Sequence, residues 1–103
     1  MAKPESNLQT KIRKALESKG AWAVKFHGSP FTKKGTPDLL VCYRGLFIGM
    51  EVKLPGKEGT LTELQSYQIR KIKEAGGISL VITSVSQALK VLQIVDKKIR
   101  NKG

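Results

Sequence analysis

Apolar residues recur along this chain in two rhythms, a helical one and short near-continuous runs, and the alternation between them predicts the elements. Leu8, Ile12, Ala15 and Leu16 stand at helical spacing, which predicts a helix from about Glu5 to Lys19 that Gly20 stops. Ala21 to His27 reads as a short strand, and Gly28 to Gly35 as a basic loop rich in Ser, Pro, Thr and Gly. Leu39 to Tyr43 and Phe47 to Lys53 read as two strands joined by Arg44-Gly45, followed by a loop from Leu54 to Thr60. Leu61, Leu64, Ile69 and Ile72 give the apolar stripe of a helix from Thr62 to Ala75, ended by Gly76-Gly77. Ile78 to Ile82 is a last, buried strand. Ser84-Val85-Ser86-Gln87 fits a capping box for a helix to about Ile99, and the basic tail after the Asp96-Lys97-Lys98 stretch is expected to fray. The order αβββαβα predicts an α/β fold, a mixed central sheet flanked by helices, with the two middle strands as a hairpin. With no repeat and no linker, residues 1–103 read as one domain.

Charge changes the picture more than length does. Nineteen Lys and Arg against eight Asp and Glu leave a net charge of +11, which points to a polyanionic partner, nucleic acid before an anionic membrane. No apolar run approaches the ~18 residues of a membrane span, and Met1 to Lys19 has no signal-peptide core. An intracellular, cytoplasmic protein is expected. Cys42, the single cysteine, lies in the apolar run Leu39-Leu40-Val41-Cys42 and reads as a buried thiol. With one His in the chain, a structural zinc site is not expected.

The stretch richest in chemistry is Gly35-Thr36-Pro37-Asp38, followed by Glu51-Val52-Lys53. If Arg44-Gly45 is a two-residue turn, Tyr43 faces Leu46, and counting back along the hairpin sets Asp38 opposite Glu51. A symmetric four-residue loop keeps the same register. Directly opposed Cβ atoms lie roughly 4.5–5.5 Å apart, where like charges are destabilising. A chain with only eight acids thus sets two of them face to face. A divalent cation between them removes the repulsion, and hard oxygen ligands suit Mg2+ or Mn2+. Strand alternation puts Lys53 on the face of Glu51 and turns Val52 toward the core. This arrangement predicts phosphodiester hydrolysis: the metal polarises the phosphate and acidifies a bound water, and Lys53 orients that water or stabilises the developing charge. Lys33, Lys34 and Lys57 stand in loops suited to the phosphate backbone. The plainer alternative makes Asp38 a turn residue and Glu51 and Lys53 a solvated strand edge. E-x-K alone is common by chance; its specificity comes from the whole hairpin pattern.

Pro37-Asp38 and Glu51-Val52-Lys53 together resemble the signature of the PD-(D/E)XK nuclease superfamily, and nearly the whole chain is similar to a stand-alone VRR-NUC domain, the virus-type replication-repair nuclease. Glu5-Ser6-Asn7-Leu8-Gln9 resembles that family's opening helix with its acidic residue, Gly35-Thr36-Pro37-Asp38 its G-x-P-D, and Leu61-Thr62-Glu63-Leu64-Gln65 its stretch with a functional glutamine. The resemblance implies an Mg2+-dependent DNA endonuclease, with Mn2+ as substitute, and a place for Glu5 and Gln65 at the site. Asp38, Glu51, Lys53 and Gln65 are the expected catalytic residues. Asp38, Glu51, Val52 and Glu5 are the expected metal set, and Lys25, His27, Lys33, Lys34 and Lys57 the expected DNA contacts. Similarity to Holliday-junction resolvases further implies a homodimer acting on branched DNA. The lack of an added DNA-binding domain suggests a phage or mobile-element origin.

Several of these residues have structural alternatives. Gln65 completes a capping box with Thr62, and Glu5 suits the helix dipole behind Pro4. Glu17, near the end of the first helix, is expected to face water. His27 is a lone histidine ahead of a basic loop. Trp22, Phe26, Phe31, Tyr43, Phe47 and Tyr67 are expected in the core or at an interface more than in base stacking, with Phe31 the exception because its loop is expected to approach DNA. Candidates for the dimer contact are Phe31, Phe47, Val91, Leu92 and Val95. A nicking or sequence-specific nuclease, or a non-catalytic basic nucleic-acid-binding protein, are the competing functions.

Overall fold

A computed structural model describes residues 3–102. Pro4, with its fixed φ, occupies the first turn of α1 (Pro4–Ser18), which buries Ile12 and Leu16 one turn apart. Gly20, at φ +90°, then reverses the chain into β1 (Trp22–Lys25). The hairpin follows as β2 (Leu39–Tyr43) and β3 (Leu46–Val52). After a 3-10 turn over Glu58–Thr60 come α2 (Glu63–Glu74), β4 (Ile78–Ile82) and α3 (Val85–Lys102). The sheet runs β1-β2-β3-β4, antiparallel through β3 and parallel between β3 and β4, the mixed α/β architecture that the pattern predicts.

One sheet face carries the core. Ile12 and Leu16 of α1 and Ala88, Val91, Leu92 and Val95 of α3 close over Leu39, Val41, Ile48, Met50, Val52 and Ile82. Val91, Leu92 and Val95 are therefore core residues, and a second copy cannot reach them. The other face is covered more sparsely. α2 lies on β3 and β4, buries no residue fully, and leaves Leu64 half exposed. Trp22, Cys42 and Phe47, in register across three strands, stay on the outside, with Trp22 59% and Phe47 41% exposed. Cys42 is thus a surface thiol and not a buried one: alternation sends Leu39 and Val41 inward and Cys42 outward. Phe31, at 97% exposed, and Tyr67, at 44%, are also outside the core, whereas Tyr43 packs against it. α3 continues through Lys102, three residues beyond the expected end near Ile99.

Candidate functional site

The site is set by the hairpin. Arg44 at φ 52° and Gly45 at φ 85° make the tight turn with both central residues left-handed. Tyr43 pairs with Leu46 and the register runs back to Leu39 opposite Met50, so the next step brings Asp38 to Glu51. Asp38 is held on both sides. Its carbonyl accepts from Phe26 N at 2.8 Å, and its Oδ2 accepts from Val52 N at 2.9 Å. Pro37 ahead of it is fully buried over Gly49, where a Cβ would stand 2.9 Å from Pro37 Cγ. Ser79 Oγ, donating to Gly49 O at 3.0 Å, backs the same spot. Gly49 and Ser79 give no signal in the sequence, since their role is the space they leave beside β3.

Glu51 is 2% exposed. Its Oε1 accepts from Gln65 Nε2 at 2.8 Å, and its Oε2 is buried without a hydrogen-bond partner among the described residues. Burial first, and the neighbouring Asp38 carboxylate second, push the Glu51 carboxyl up to about 8, with Lys53 opposing and Glu5 adding least. Lys53, 9% exposed, is fixed by its own N–H donating to Ile82 O at 3.0 Å.

Gln65 caps α2 and also donates to Glu51. Its Oε1 accepts from Thr62 N at 2.9 Å and its N–H donates to Thr62 Oγ1 at 3.1 Å, completing the capping box, while Nε2 is left for Glu51. Gly35 fits this helix end into the loop ahead of Asp38. Its φ is +85°, and a Cβ there would stand 2.4 Å from Leu64 C and O and 2.7 Å from Gln65 N. No side chain fits between the loop and the first turn of α2.

The remaining residues are distributed less tightly. Glu5 is half-buried in the first turn of α1, and Glu51 feels its charge. Lys25 is turned toward α1, where Nζ donates to Ser6 O and Ser6 Oγ, each at 3.1 Å. That commitment depends on α1 docking, and no local pattern marks it. His27, Lys33, Lys34 and Lys57 are exposed on loops. The Val52 side chain is in the core, so only its main chain belongs to the site. Glu17 faces solvent and pairs with Arg13.

A buried carboxylate with an unpartnered oxygen beside a second carboxylate is costly unless a proton or a cation compensates it. The donor set is hard oxygen and fits a divalent cation of the Mg2+ class. Among the described residues no three His, Cys, Asp or Glu gather at metal-binding spacing, so the protein offers two carboxylates and leaves further positions to main chain and water.

A solved structure described as a "VRR_NUC domain" superposes on this chain with a TM-score of 0.71 and 24% identity, over 89% of this chain and 97% of that one. The two share a fold. No family profile matches the sequence, and no curated protein does.

Proposed function

We propose that this chain, which carries the fold of a VRR_NUC domain, is a metal-dependent endonuclease that hydrolyses DNA phosphodiesters, with Mg2+ as the cation and Mn2+ as a substitute. The observation that carries this reading is Glu51, buried with one oxygen unpartnered beside Asp38, in a chain of net charge +11. Asp38 and Glu51 would hold the cation, with the main chain of Val52 and water completing the set, while Glu5 adds its charge from the first turn of α1. When bound, the cation supplies Lewis-acid polarisation of the phosphate and a water of lowered pKa. Asp38 is tied to Val52 N and Glu51 to Gln65, which fixes one oxygen of each carboxylate and would leave the other to the cation. Lys53, on the same strand face, stabilises the charge that develops on the phosphorane and orients the attacking water. Lys33, Lys34, Lys57 and His27 hold the backbone that flanks the scissile bond. Lys25 acts one step back, ordering the first turn of α1 through Ser6.

The preferred substrate on this reading is branched DNA, cut in the cytoplasm by a symmetric homodimer. Resolving a four-way junction requires two cuts on opposed strands, which a twofold pair of sites provides. The aligned Trp22, Cys42 and Phe47 offer an exposed apolar patch to a second copy, and Phe31 is exposed as well.

The test is cleavage of plasmid, linear duplex and a four-way junction with Mg2+ or with EDTA. Asp38→Asn, Glu51→Gln and Lys53→Ala should each lower cleavage by about a hundredfold or more. DNA binding should survive, because the phosphate grip comes from Lys and Arg elsewhere. Glu51→Gln with wild-type turnover would remove the site assignment. A wild type that binds DNA and cuts none of the three would leave a non-catalytic nucleic-acid-binding protein.

A further inference from the structure

The charges of α3 are matched differently from those of α1 and α2. On α1, Arg13 pairs with Glu17, and on α2, Arg70 and Lys71 both meet Glu74, while Lys11, Lys14 and Lys73 make no ion pair among the described residues. From Val85 to Arg100, α3 carries Lys90, Lys97, Lys98 and Arg100, all exposed, and one acid, Asp96. The hairpin takes up that acid. Arg44 Nη1 donates to Asp96 Oδ1 at 2.8 Å, Tyr43 Oη donates to it at 3.0 Å, and both hold its carboxyl below the usual carboxylate range. Among the described residues Lys90, Lys97, Lys98 and Arg100 make no ion pair.

Lys90, Lys97 and Arg100 share one helix face about 15 Å long at 1.5 Å per residue, and with Gln93 and Ile94 they line a single shallow groove. A helix dipole favours cations in the last turn. It does not account for Lys90, which lies about three turns before the helix end, nor for a groove that adds the neutral donor Gln93. A duplex strand presents a phosphate about every 3.4 Å of rise, so the stripe spans about four or five of them. α3 begins after Ile82, which holds Lys53 N, and runs back to the hairpin turn at Arg44. Lys97 and Arg100 therefore lie toward the end of the sheet away from Glu51, with Lys90 about two turns nearer the start of the helix, and α2, with Gln65, lies on the other face.

We propose that the outer face of α3 is a second nucleic-acid surface, gripping the phosphate backbone of a duplex arm other than the one being cut. The inference rests on the nuclease reading for the word "cut", and on charge and geometry alone for the grip. It is tested by binding of a four-way junction in EDTA, where nothing is cleaved, between 50 and 200 mM salt (roughly the range over which phosphate contacts are read). Lys90→Gln/Lys97→Gln/Arg100→Gln is compared with Arg70→Gln/Lys71→Gln/Lys73→Gln, which removes the same formal charge from α2. Glutamine has nearly the helix propensity of Lys and Arg, so both helices persist, and circular dichroism verifies it. The α3 variant should make the slope of log affinity against log salt shallower by about 2.7, about 0.9 per lost phosphate contact, and the α2 variant by less than about 1. Equal changes in both, or none in the α3 variant, would overturn the proposal. So would a loss of about tenfold or more in single-turnover cleavage of saturating linear duplex by the α3 variant, because that would put α3 on the scissile arm. If the wild type cuts nothing, the nuclease reading fails while the slopes still decide whether α3 grips DNA.

Discussion

Burial and the Asp38 carboxylate make Glu51 a group whose protonation is linked to folding. Its folded-state value of about 8 lies above the ordinary 4.5, so the folded chain retains a proton that the unfolded chain releases. In metal-free protein the associated stability is complete below about pH 4.5 and is lost as the pH rises toward about 8. The melting temperature in EDTA should therefore fall across that window, and Glu51→Gln, which cannot titrate, should fall less. Parallel melting curves for the two proteins would show that Glu51 carries no such shift. A divalent cation competes with the same proton, so calorimetry should find Mg2+ binding tighter at pH 8 than at pH 6, with proton release.

At the scale of elements, the first turn of α2 couples capping to the site. Gln65→Glu keeps the oxygen that accepts from Thr62 N but replaces the amide donor to Glu51 with a carboxylate. The melting temperature should change little and cleavage should fall by about tenfold or more, in proportion to a lost hydrogen bond to a charged group. Equal cleavage by both proteins would leave Gln65 a cap only. Gly35 tests the fit of loop to helix, with Gly20 as its control. Both have positive φ, +85° and +90°, but a Cβ at Gly20 meets nothing within 4 Å, while one at Gly35 stands 2.4 Å from the Leu64 main chain. Gly20→Ala should cost about 1 kcal/mol of stability and leave cleavage intact. Gly35→Ala should cost more, about 2–3 kcal/mol, and reduce cleavage. If it acts through Gln65, adding it to Gln65→Ala should cost less activity than adding it to wild type. Indistinguishable Gly20→Ala and Gly35→Ala proteins would mean that the close approach at Leu64 has no energetic weight.

For the whole molecule, self-association and DNA binding should respond to salt in opposite directions. Two copies of a +11 chain repel, so added salt favours an apolar contact between them, whereas it weakens a grip on phosphates. Sedimentation of the wild type at micromolar concentration should show a dimer that strengthens with salt, and Trp22→Lys should shift it to monomer. The single Trp makes its own emission a second reading of whether that face is covered. A strict monomer that cuts linear and branched DNA at equal rates would remove the junction preference and leave hydrolysis itself untouched.

The amino-acid sequence alone determined what is local or strictly periodic. Element order follows from apolar spacing, and the hairpin register from a tight turn and a side-chain period of two, which together bring Asp38 to Glu51 before any packing is considered. The 3-10 turn at Glu58–Thr60 was not legible, because three residues carry no period. Tertiary structure decided everything that depends on where a helix docks. α2 rests on β3 and β4, so Cys42 and Trp22 face solvent although their runs look buried, and Val91, Leu92 and Val95 lie inside although they look available. Pro37 needs the missing Cβ of Gly49, and Lys25 finds Ser6 nineteen residues away. Glu51 is buried beside Gln65 only because Gly35 admits the end of α2. A turn specifies its neighbours through backbone geometry, whereas burial is a property of surfaces that meet across the chain, and no short window of sequence contains both of them.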